Sequence, residues 1–173
     1  MIIAYDDSVN SDIDQAYYDE ISNSLSIEAV KCSTCKQVGF KVHSYYLRHL
    51  KRELNEGQED DRILIKRVIC KSCRKTHAIL PKSIIPYSHV SLSDTVEIIE
   101  SRETDNNIKD KYWITMEDIR NIKRRFTLFW RQRLLSFNIS IIDDDFCELC
   151  VLNHRLQFMQ IRCQPVILIH ITT

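Results

Sequence analysis

The segments Cys32-Ser33-Thr34-Cys35 and Cys70-Lys71-Ser72-Cys73 are two cysteine pairs of the same spacing. In each pair the thiols stand three positions apart, so a tight turn can direct both at one tetrahedral ion. The residues between the pairs are typical of a hairpin that would bring the half-sites together. The spacing therefore predicts a zinc ribbon, with four thiolates binding a structural Zn²⁺. Disulfides or buried free thiols are weaker alternatives, because nothing in the chain indicates an oxidising compartment.

Three antiparallel strands are predicted around the cysteine pairs, because β-branched and aromatic residues are enriched there. We expect these strands at residues 38–50, 62–70 and 76–80. The acidic segment 53–61 contains Gly57 and is interpreted as the exposed hairpin tip. A ribbon of this size has a small core, so zinc binding is expected to supply much of its folding energy.

Three histidines in the ribbon could in principle replace a thiolate, namely His43, His49 and His77. Four cysteines already complete a tetrahedral site, however. We therefore interpret each histidine as an ordinary strand residue.

The charge of the chain is balanced overall but unevenly distributed. The 173 residues include 24 Lys or Arg and 24 Asp or Glu. Residues 1–30 carry seven acidic residues and no Lys or Arg. Residues 31–90 carry 13 basic and five acidic residues, a net charge of +8. Residues 91–173 carry 11 basic and 12 acidic residues, a net charge of −1. The basic centre favours a nucleic-acid surface.

Several classes of protein are disfavoured by the composition. The apolar start at residues 1–5 is too short for a signal peptide, and no apolar run approaches the ~20 residues of a membrane span. With two glycines in the chain, a phosphate-cradling glycine-rich loop cannot be built. A four-thiolate zinc leaves no position for water, and no nucleophile and base are paired. We expect a soluble cytoplasmic protein that is not an enzyme and has no membrane contact or small-molecule substrate.

Residues 6–30 are predicted to form one amphipathic helix with an acidic outer face. Apolar residues recur at steps of three and four, at Ile13, Ala16, Tyr17, Ile21 and Leu25. Two interpretations remain open. The helix either packs on the body with a solvated acidic face, or it is an acidic arm that covers the basic centre and competes with nucleic acid.

Two capped helices are predicted after the ribbon. Ser91 and Asp94 form a capping pattern for a helix that runs to Ser101. Thr115 to Asp118 caps a second, longer helix, whose apolar face is Ile119, Ile122, Phe126, Phe129 or Trp130, Leu134 and Phe137. This second helix also carries Arg120, Lys123, Arg124, Arg125, Arg131 and Arg133 without an acid among them. The polar segment 104–112 between the two does not predict a helix.

The chain resembles a bacterial family of uncharacterised zinc-ribbon proteins related to the N-terminal zinc-binding part of insertion-sequence transposases. The resemblance covers roughly residues 30–135, and the tail Gln157-Phe158-Met159-Gln160 is a further candidate segment for it. Its motifs are Cys32-x-x-Cys35, Tyr45-Tyr46-x-Arg48, Ile65-x-Arg67-Val68-x-Cys70-x-x-Cys73-x-x-Thr76-His77-Ala78-x-Leu80-Pro81 and Ile85-Pro86-Tyr87-Ser88.

The resemblance implies a ribbon followed by a helix-turn-helix, whose recognition helix aligns with the longer basic helix. In the transposase relatives an RNase-H-like catalytic domain comes next. The 35 residues after position 138 are too few to form it. The resemblance therefore implies non-catalytic DNA binding by a regulator or accessory factor of a mobile element.

The candidate phosphate contacts are Lys71, Arg74 and Lys75 beside the second cysteine pair, and Arg120, Lys123 and Arg124 on the basic helix. A basic helix can also be simply a solvated face. The alternative function is a protein-interaction adaptor, in which the ribbon binds a larger enzyme or a host factor.

The tail supports fewer predictions. Cys147, Cys150 and His154, with Cys163 downstream, have a spacing that permits a second zinc site, but a helix with buried thiols explains it as well. The three acids at 143–145 are interpreted as an exposed turn, because adjacent side chains do not converge. Residues 166–169 predict a terminal strand or packed segment.

Together these patterns predict an α+β protein in which a small antiparallel zinc ribbon precedes a helix-turn-helix-like helical region. The expected domains are an acidic helical arm at 1–30, the zinc ribbon at 31–90, the helical region at 91–138 and a packed tail at 139–173.

Overall fold

A computed structural model of the chain describes residues 2–5, 13–50, 62–143, 145–160 and 166–170. The strands are β1 Ile2–Tyr5, β2 Phe40–His49, β3 Arg62–Cys70, β4 Thr76–Pro81 and β5 Ile167–His170. The helices are α1 Gln15–Ser24, α2 Leu92–Glu100, α3 Asp105–Tyr112, α4 Met116–Arg125, α5 Arg131–Ser136 and α6 Phe146–His154. A π-helical turn, Phe126–Trp130, joins α4 to α5. The protein is therefore α+β, as predicted.

The chain divides into two compact units. The first unit takes its described residues from 1–48, 62–83 and 164–173, and it contains all five strands and α1. The second unit takes its described residues from 49–61 and 84–163, and it contains α2 to α6. In sequence, the second unit is inserted between β4 and β5. The predicted hairpin tip at 53–61 lies outside the described residues.

The first unit is built on a five-stranded mixed sheet of order β2-β3-β4-β1-β5. Strands β3 and β4 are antiparallel, with Val68 opposite His77. Strand β1 is parallel to both β4 and β5. The predictions for β2, β3, β4 and the terminal strand are confirmed. The sequence did not predict that residues 2–5 form a strand between β4 and β5.

Helix α1 packs on this sheet through Tyr18, which is fully buried. The Tyr18 hydroxyl donates to the Ile79 carbonyl at 3.1 Å and accepts from the Lys66 backbone N–H at 2.7 Å. The predicted helix over 6–30 is too long at its C-terminal end, because α1 ends at Ser24; residues 6–12 lie outside the described part. The helix ends because Leu25 has an extended backbone with ψ of 119°, and the buried Lys66 ammonium group donates to the Ser22 carbonyl of the last turn at 3.1 Å.

The second unit begins with three short helices whose N-termini are capped as their sequences require. Ser91 accepts from the Asp94 N–H at the start of α2, and Thr104 caps α3 in the same way. Thr115 and Asp118 form a reciprocal capping box on α4. The three helices bury Ile98, Ile108, Ile119 and Ile122.

The expectation that residues 104–112 are not helical is wrong, because α3 occupies Asp105–Tyr112. Its Asp and Asn residues favour caps and turns over helix interiors, so local propensity is low. Packing overrides this propensity: Ile108 and Tyr112 stand four residues apart on one face and are both buried.

The predicted long helix is continuous from residue 116 to 136, but it contains the π-helical turn. Trp130, rather than Phe129, faces the core: it is fully buried and its indole N–H donates to the Gln160 carbonyl at 3.2 Å. Phe137 was assigned to the apolar face but is 51% exposed. Leu134, which follows the wide turn, is buried as predicted, whereas Phe137 lies beyond the end of α5 with φ of −115° and ψ of 10° and therefore leaves the helical face.

The tail of the second unit is packed around the tetrapeptide 157–160, which is buried throughout. The Gln157 side-chain amide donates to the Ile84 carbonyl at 3.1 Å, and the ring of Phe158 lies edge-on to that of Trp130 at 5.4 Å. No helix in the described part of the chain combines the length and the apolar character needed to cross a membrane.

Candidate metal centre

Four thiols meet in the first unit, and they are the ones that the sequence singled out. The sulfur atoms of Cys32, Cys35, Cys70 and Cys73 all lie within 4.8 Å of one another. The Cys32 and Cys73 sulfurs are 3.7 Å apart, and those of Cys35 and Cys70 are 3.6 Å apart. A tetrahedral ion with metal–sulfur bonds of about 2.3 Å requires sulfur atoms about 3.8 Å apart. The four cysteines can therefore hold a metal ion.

The first cysteine pair is presented by a turn that folds back on its own first residue. The Cys32 N–H donates to the Gln37 carbonyl at 2.8 Å, and the Lys36 N–H donates to the Cys32 carbonyl at 2.9 Å. Lys36, directly after the second cysteine, has a left-handed backbone with φ of 65°. This conformation closes the turn, so that both thiols point to the same side.

The second cysteine pair lies in a turn with the same pattern of backbone hydrogen bonds. The Cys70 N–H donates to the Lys75 carbonyl at 2.9 Å, the Arg74 N–H donates to the Cys70 carbonyl at 3.1 Å, and Arg74 has φ of 61°. The turns are joined by a hydrogen bond of 3.0 Å from the Lys71 N–H to the Gly39 carbonyl. Two equivalent turns linked in this way fix the relative position of the four sulfurs.

The thiols differ in their readiness to lose a proton. Burial raises the pKa of Cys32, but hydrogen bonds led by the backbone N–H of Cys35 bring it down to about 7. The backbone N–H of Cys73 is the main cause that lowers the pKa of Cys70. Although the Lys75 N–H lowers the pKa of Cys73, burial and the neighbouring thiols raise it to about 11. A bound cation would favour the thiolate at every position.

His77, which the sequence led us to interpret as an ordinary strand residue, is a close neighbour of the centre. Its Nε2 atom lies 3.7 Å from the Cys32 sulfur, and the side chain is buried, with its ring edge-on to Phe40. Burial lowers the pKa of His77 to about 4. A neutral ring with Nε2–H can donate to the Cys32 thiolate and orient it. His43 and His49 are exposed on β2 and do not belong to the group of four donors.

Comparison with known families gives one result for this chain. Residues 32–119 match a family described as a domain of unknown function, DUF6431. This span is 88 of the 173 residues, just over half of the chain. The chain belongs to the DUF6431 family. No curated protein and no solved structure matches it.

The DUF6431 span begins at the first cysteine of the centre and ends inside α4. It includes both cysteine turns, the strands between them, α2 and α3. The matched span therefore covers the four cysteines, both of the helices α2 and α3, and the first turn of α4. Helix α1, the π-helical turn and α6 fall outside this span.

The predicted phosphate contacts occupy different places in the two units. Lys71, Arg74 and Lys75 are exposed at the second cysteine turn, and the Lys71 ammonium lies 3.9 Å from the Glu28 carboxylate. A divalent ion with four thiolates carries a net charge of about −2. With a divalent ion bound, these cations would offset part of this negative charge, apart from any contact with nucleic acid.

The basic residues of α4 differ in their exposure to solvent. Arg120 and Arg124 stand one turn apart and are both exposed. Lys123 is half-buried and pairs with Asp105 at 2.6 Å, which links α4 to α3. Arg120 and Arg124 are therefore more accessible to a ligand than Lys123.

The tail cysteines do not form a second centre in the described part of the chain. Cys147 and Cys150 are buried on α6, and burial raises the pKa of Cys150 to about 12. Within the described ranges, the cluster of Cys32, Cys35, Cys70 and Cys73 is the only group of three or more donors close enough to share an ion. The helix with buried thiols is confirmed, and Cys163 lies outside the described residues.

Proposed function

We propose that this chain is a non-catalytic, zinc-dependent DNA-binding protein. The observation that carries the proposal is the pair of exposed arginines, Arg120 and Arg124, on a helix that is capped and packed against two others. Zn²⁺ would hold the first unit together, and α4 of the second unit would contact DNA. The metal centre and the basic helix thus have separate tasks.

Zn²⁺ is the ion that this donor set favours. Four cysteine thiolates in a tetrahedral arrangement suit Zn²⁺, which has no redox chemistry of its own and binds sulfur at about 2.3 Å. All four positions would be filled by protein, so the ion would be structural. The N–H groups of the two turns and the ring of His77 would position the thiolates.

Helix α4 fits a recognition role because its apolar residues are buried and its polar and basic residues are exposed. Ile119 and Ile122 face inward, whereas Arg120, Asn121 and Arg124 are exposed. Arginine binds phosphates or the O6 and N7 atoms of guanine, and asparagine can pair with adenine. Helices α2 and α3 would support α4 in a helix-turn-helix-like arrangement. Lys123, held by Asp105, would contribute less than the two arginines.

At the second cysteine turn, Lys71, Arg74 and Lys75 would add phosphate contacts that carry no sequence information. The resemblance to the N-terminal part of insertion-sequence transposases supports a role as a regulator or accessory factor of a mobile element. This part of the proposal rests on the resemblance and on charge.

Fluorescence anisotropy with a labelled mixed-sequence duplex tests DNA binding by the zinc-loaded protein. We expect binding that weakens steeply between about 50 and 200 mM salt, because bound counterions are released. The double variant Arg120→Ala, Arg124→Ala should reduce the slope of log affinity against log salt by about 2. A charge-matched control, Arg102→Ala with Arg155→Ala, changes exposed arginines outside α4 and should retain more affinity. Absence of binding at low salt would refute the proposal.

For the alternative adaptor function, the sequence predicted that the ribbon binds the partner. The 116–136 helix offers a different surface for such a partner. Leu128 and Leu135 stand seven residues apart on the 116–136 helix and are 59% and 72% exposed. Exposed apolar side chains on one helix favour a protein interface. The double variant Leu128→Ser, Leu135→Ser would lose a partner that binds through these side chains. Such binding would persist at high salt, whereas binding to phosphates would weaken.

A further inference from the structure

Trp113 adopts a backbone conformation that residues with a side chain rarely adopt. It follows α3 with φ of 50° and ψ of 36°, in the left-handed region where glycine is the usual residue after a helix. The turn requires this conformation, because the N–H groups of Trp113 and Ile114 both donate to the Lys109 carbonyl. A tryptophan therefore occupies a position at which the backbone conformation favours glycine.

The indole of Trp113 does not contribute to the core. It is 78% exposed, more than any other large hydrophobic side chain in the described ranges, although its neighbours Tyr112 and Ile114 are buried. The second tryptophan, Trp130, is fully buried and hydrogen-bonded. Strained residues of this kind are concentrated at functional sites. Packing within the unit therefore does not account for Trp113.

The position of Trp113 indicates what it can contact. It lies two residues before Thr115, the N-cap of α4, at the beginning of the helix that exposes Arg120 and Arg124. The first turn of α4 carries Glu117 and Asp118, whereas from residue 119 to its end the helix carries four basic residues and no acid. An exposed aromatic side chain at the start of such a helix can pack against the sugars of a duplex while the arginines bind phosphates.

We propose that Trp113 is a DNA contact, with its indole packed against a deoxyribose sugar at the edge of the α4 site. This inference rests on the proposed DNA-binding function and adds a contact that does not depend on charge. Contact with a sugar needs no particular base, because the sugar is the same in every nucleotide. Trp113 would therefore increase affinity without fixing sequence.

The two tryptophans allow a direct test with the unmodified, zinc-loaded protein. Acrylamide, a neutral quencher, reaches the exposed Trp113 but not the buried Trp130. When a mixed-sequence duplex is added at low salt, we expect the quenchable part of the emission to fall by at least half. The difference between the spectra of wild type and Trp113→Phe assigns the change to Trp113.

Removal of the Trp113 side chain should raise the stability of the protein and lower its affinity for DNA. Trp113→Gly relieves the left-handed conformation, so its Tm should rise by about 2 °C. The same variant should bind the duplex roughly tenfold more weakly, because the apolar surface of the indole is no longer buried against the DNA. Trp113→Phe should bind within about threefold of wild type. Leu152→Ala, which trims an exposed leucine of α6, is the control and should leave binding unchanged.

The outcomes separate this inference from the proposed function. If wild type binds DNA, and Trp113→Gly binds it equally well with no change in acrylamide access on the wild type, Trp113 is not a contact and the function stands. If Trp113→Gly instead loses several degrees of Tm, Trp113 supports the fold, which also contradicts the inference. If wild type fails to bind DNA at low salt, both are overturned.

Discussion

Replacing Tyr18 by phenylalanine would remove one oxygen from the interior of the first unit while preserving its shape. That oxygen donates to the Ile79 carbonyl and accepts from the Lys66 N–H, and the side chain is fully buried. Both backbone groups lose this hydrogen bond in a site without access to water. Each loss costs about 1–1.5 kcal/mol at least, so the free energy of unfolding of this unit should fall by about 2–3 kcal/mol.

The same substitution should weaken zinc binding, although Tyr18 is not a ligand. Cys32 and Cys70 belong to one buried cluster with Ile21, Phe40 and Ile79 on the elements that Tyr18 connects. If the ion is needed to fold this unit, the lost stability appears as lost apparent zinc affinity. A loss of about 2–3 kcal/mol corresponds to roughly 30- to 150-fold.

Two measurements on Tyr18→Phe check this coupling. Competition with a chelating indicator gives the zinc affinity, and urea unfolding of the zinc-loaded protein gives the stability. Tyr45→Phe is the matched control, because the Tyr45 side chain is half-exposed on β2 and its hydroxyl should matter little. A lower urea midpoint with unchanged zinc affinity would refute the reasoning, since the ion would then bind a unit that is already folded.

Three further predictions concern single residues. Cys73→Ser should lose the bound zinc by native mass spectrometry, whereas Cys147→Ala, a buried thiol outside the centre, should retain it. Gly39→Ala should destabilise the zinc-loaded protein by about 1–2 kcal/mol in urea, because φ of 104° at Gly39 disfavours any Cβ. For Asp118, burial raises the pKa, but hydrogen bonds from Thr115 and His89 lower it to about 2. The Asp118 carboxylate therefore stabilises the folded state by about 2 kcal/mol at pH values above about 3.9, its pKa in the unfolded chain. This stabilisation is lost as the pH falls through about 2, its pKa in the folded protein. Acid titration of Asp118→Asn by circular dichroism should lack this transition.

The predictable parts of the structure are those whose signals are local. The cysteine spacing predicted which four thiols converge, and the pattern around Cys70 predicted β3 and β4. Ser91 and Thr115 fixed two helix starts, because a capping residue acts on N–H groups within its own turn. These features need no knowledge of distant residues.

The parts that were missed depend on distant residues or on packing. Strand β1 is four residues long, and its partners lie more than 70 positions away in sequence. Helix α3 has poor propensity and is held by Ile108 and Tyr112 in the core. His77 reaches Cys32 because of the register of β4, which a strand pattern alone does not specify. The π-helical turn that brings Trp130 inward has no sequence signal that we recognise.

The arrangement of β1 has a consequence for biosynthesis. Strand β1 leaves the ribosome before the second unit is made, whereas its partner β5 at residues 167–170 leaves after it. Until β5 emerges, one edge of β1 has no partner from this sheet, and exposed edges of this kind recruit other chains. Nascent chains that stall inside the second unit should therefore be prone to aggregation or depend on chaperones.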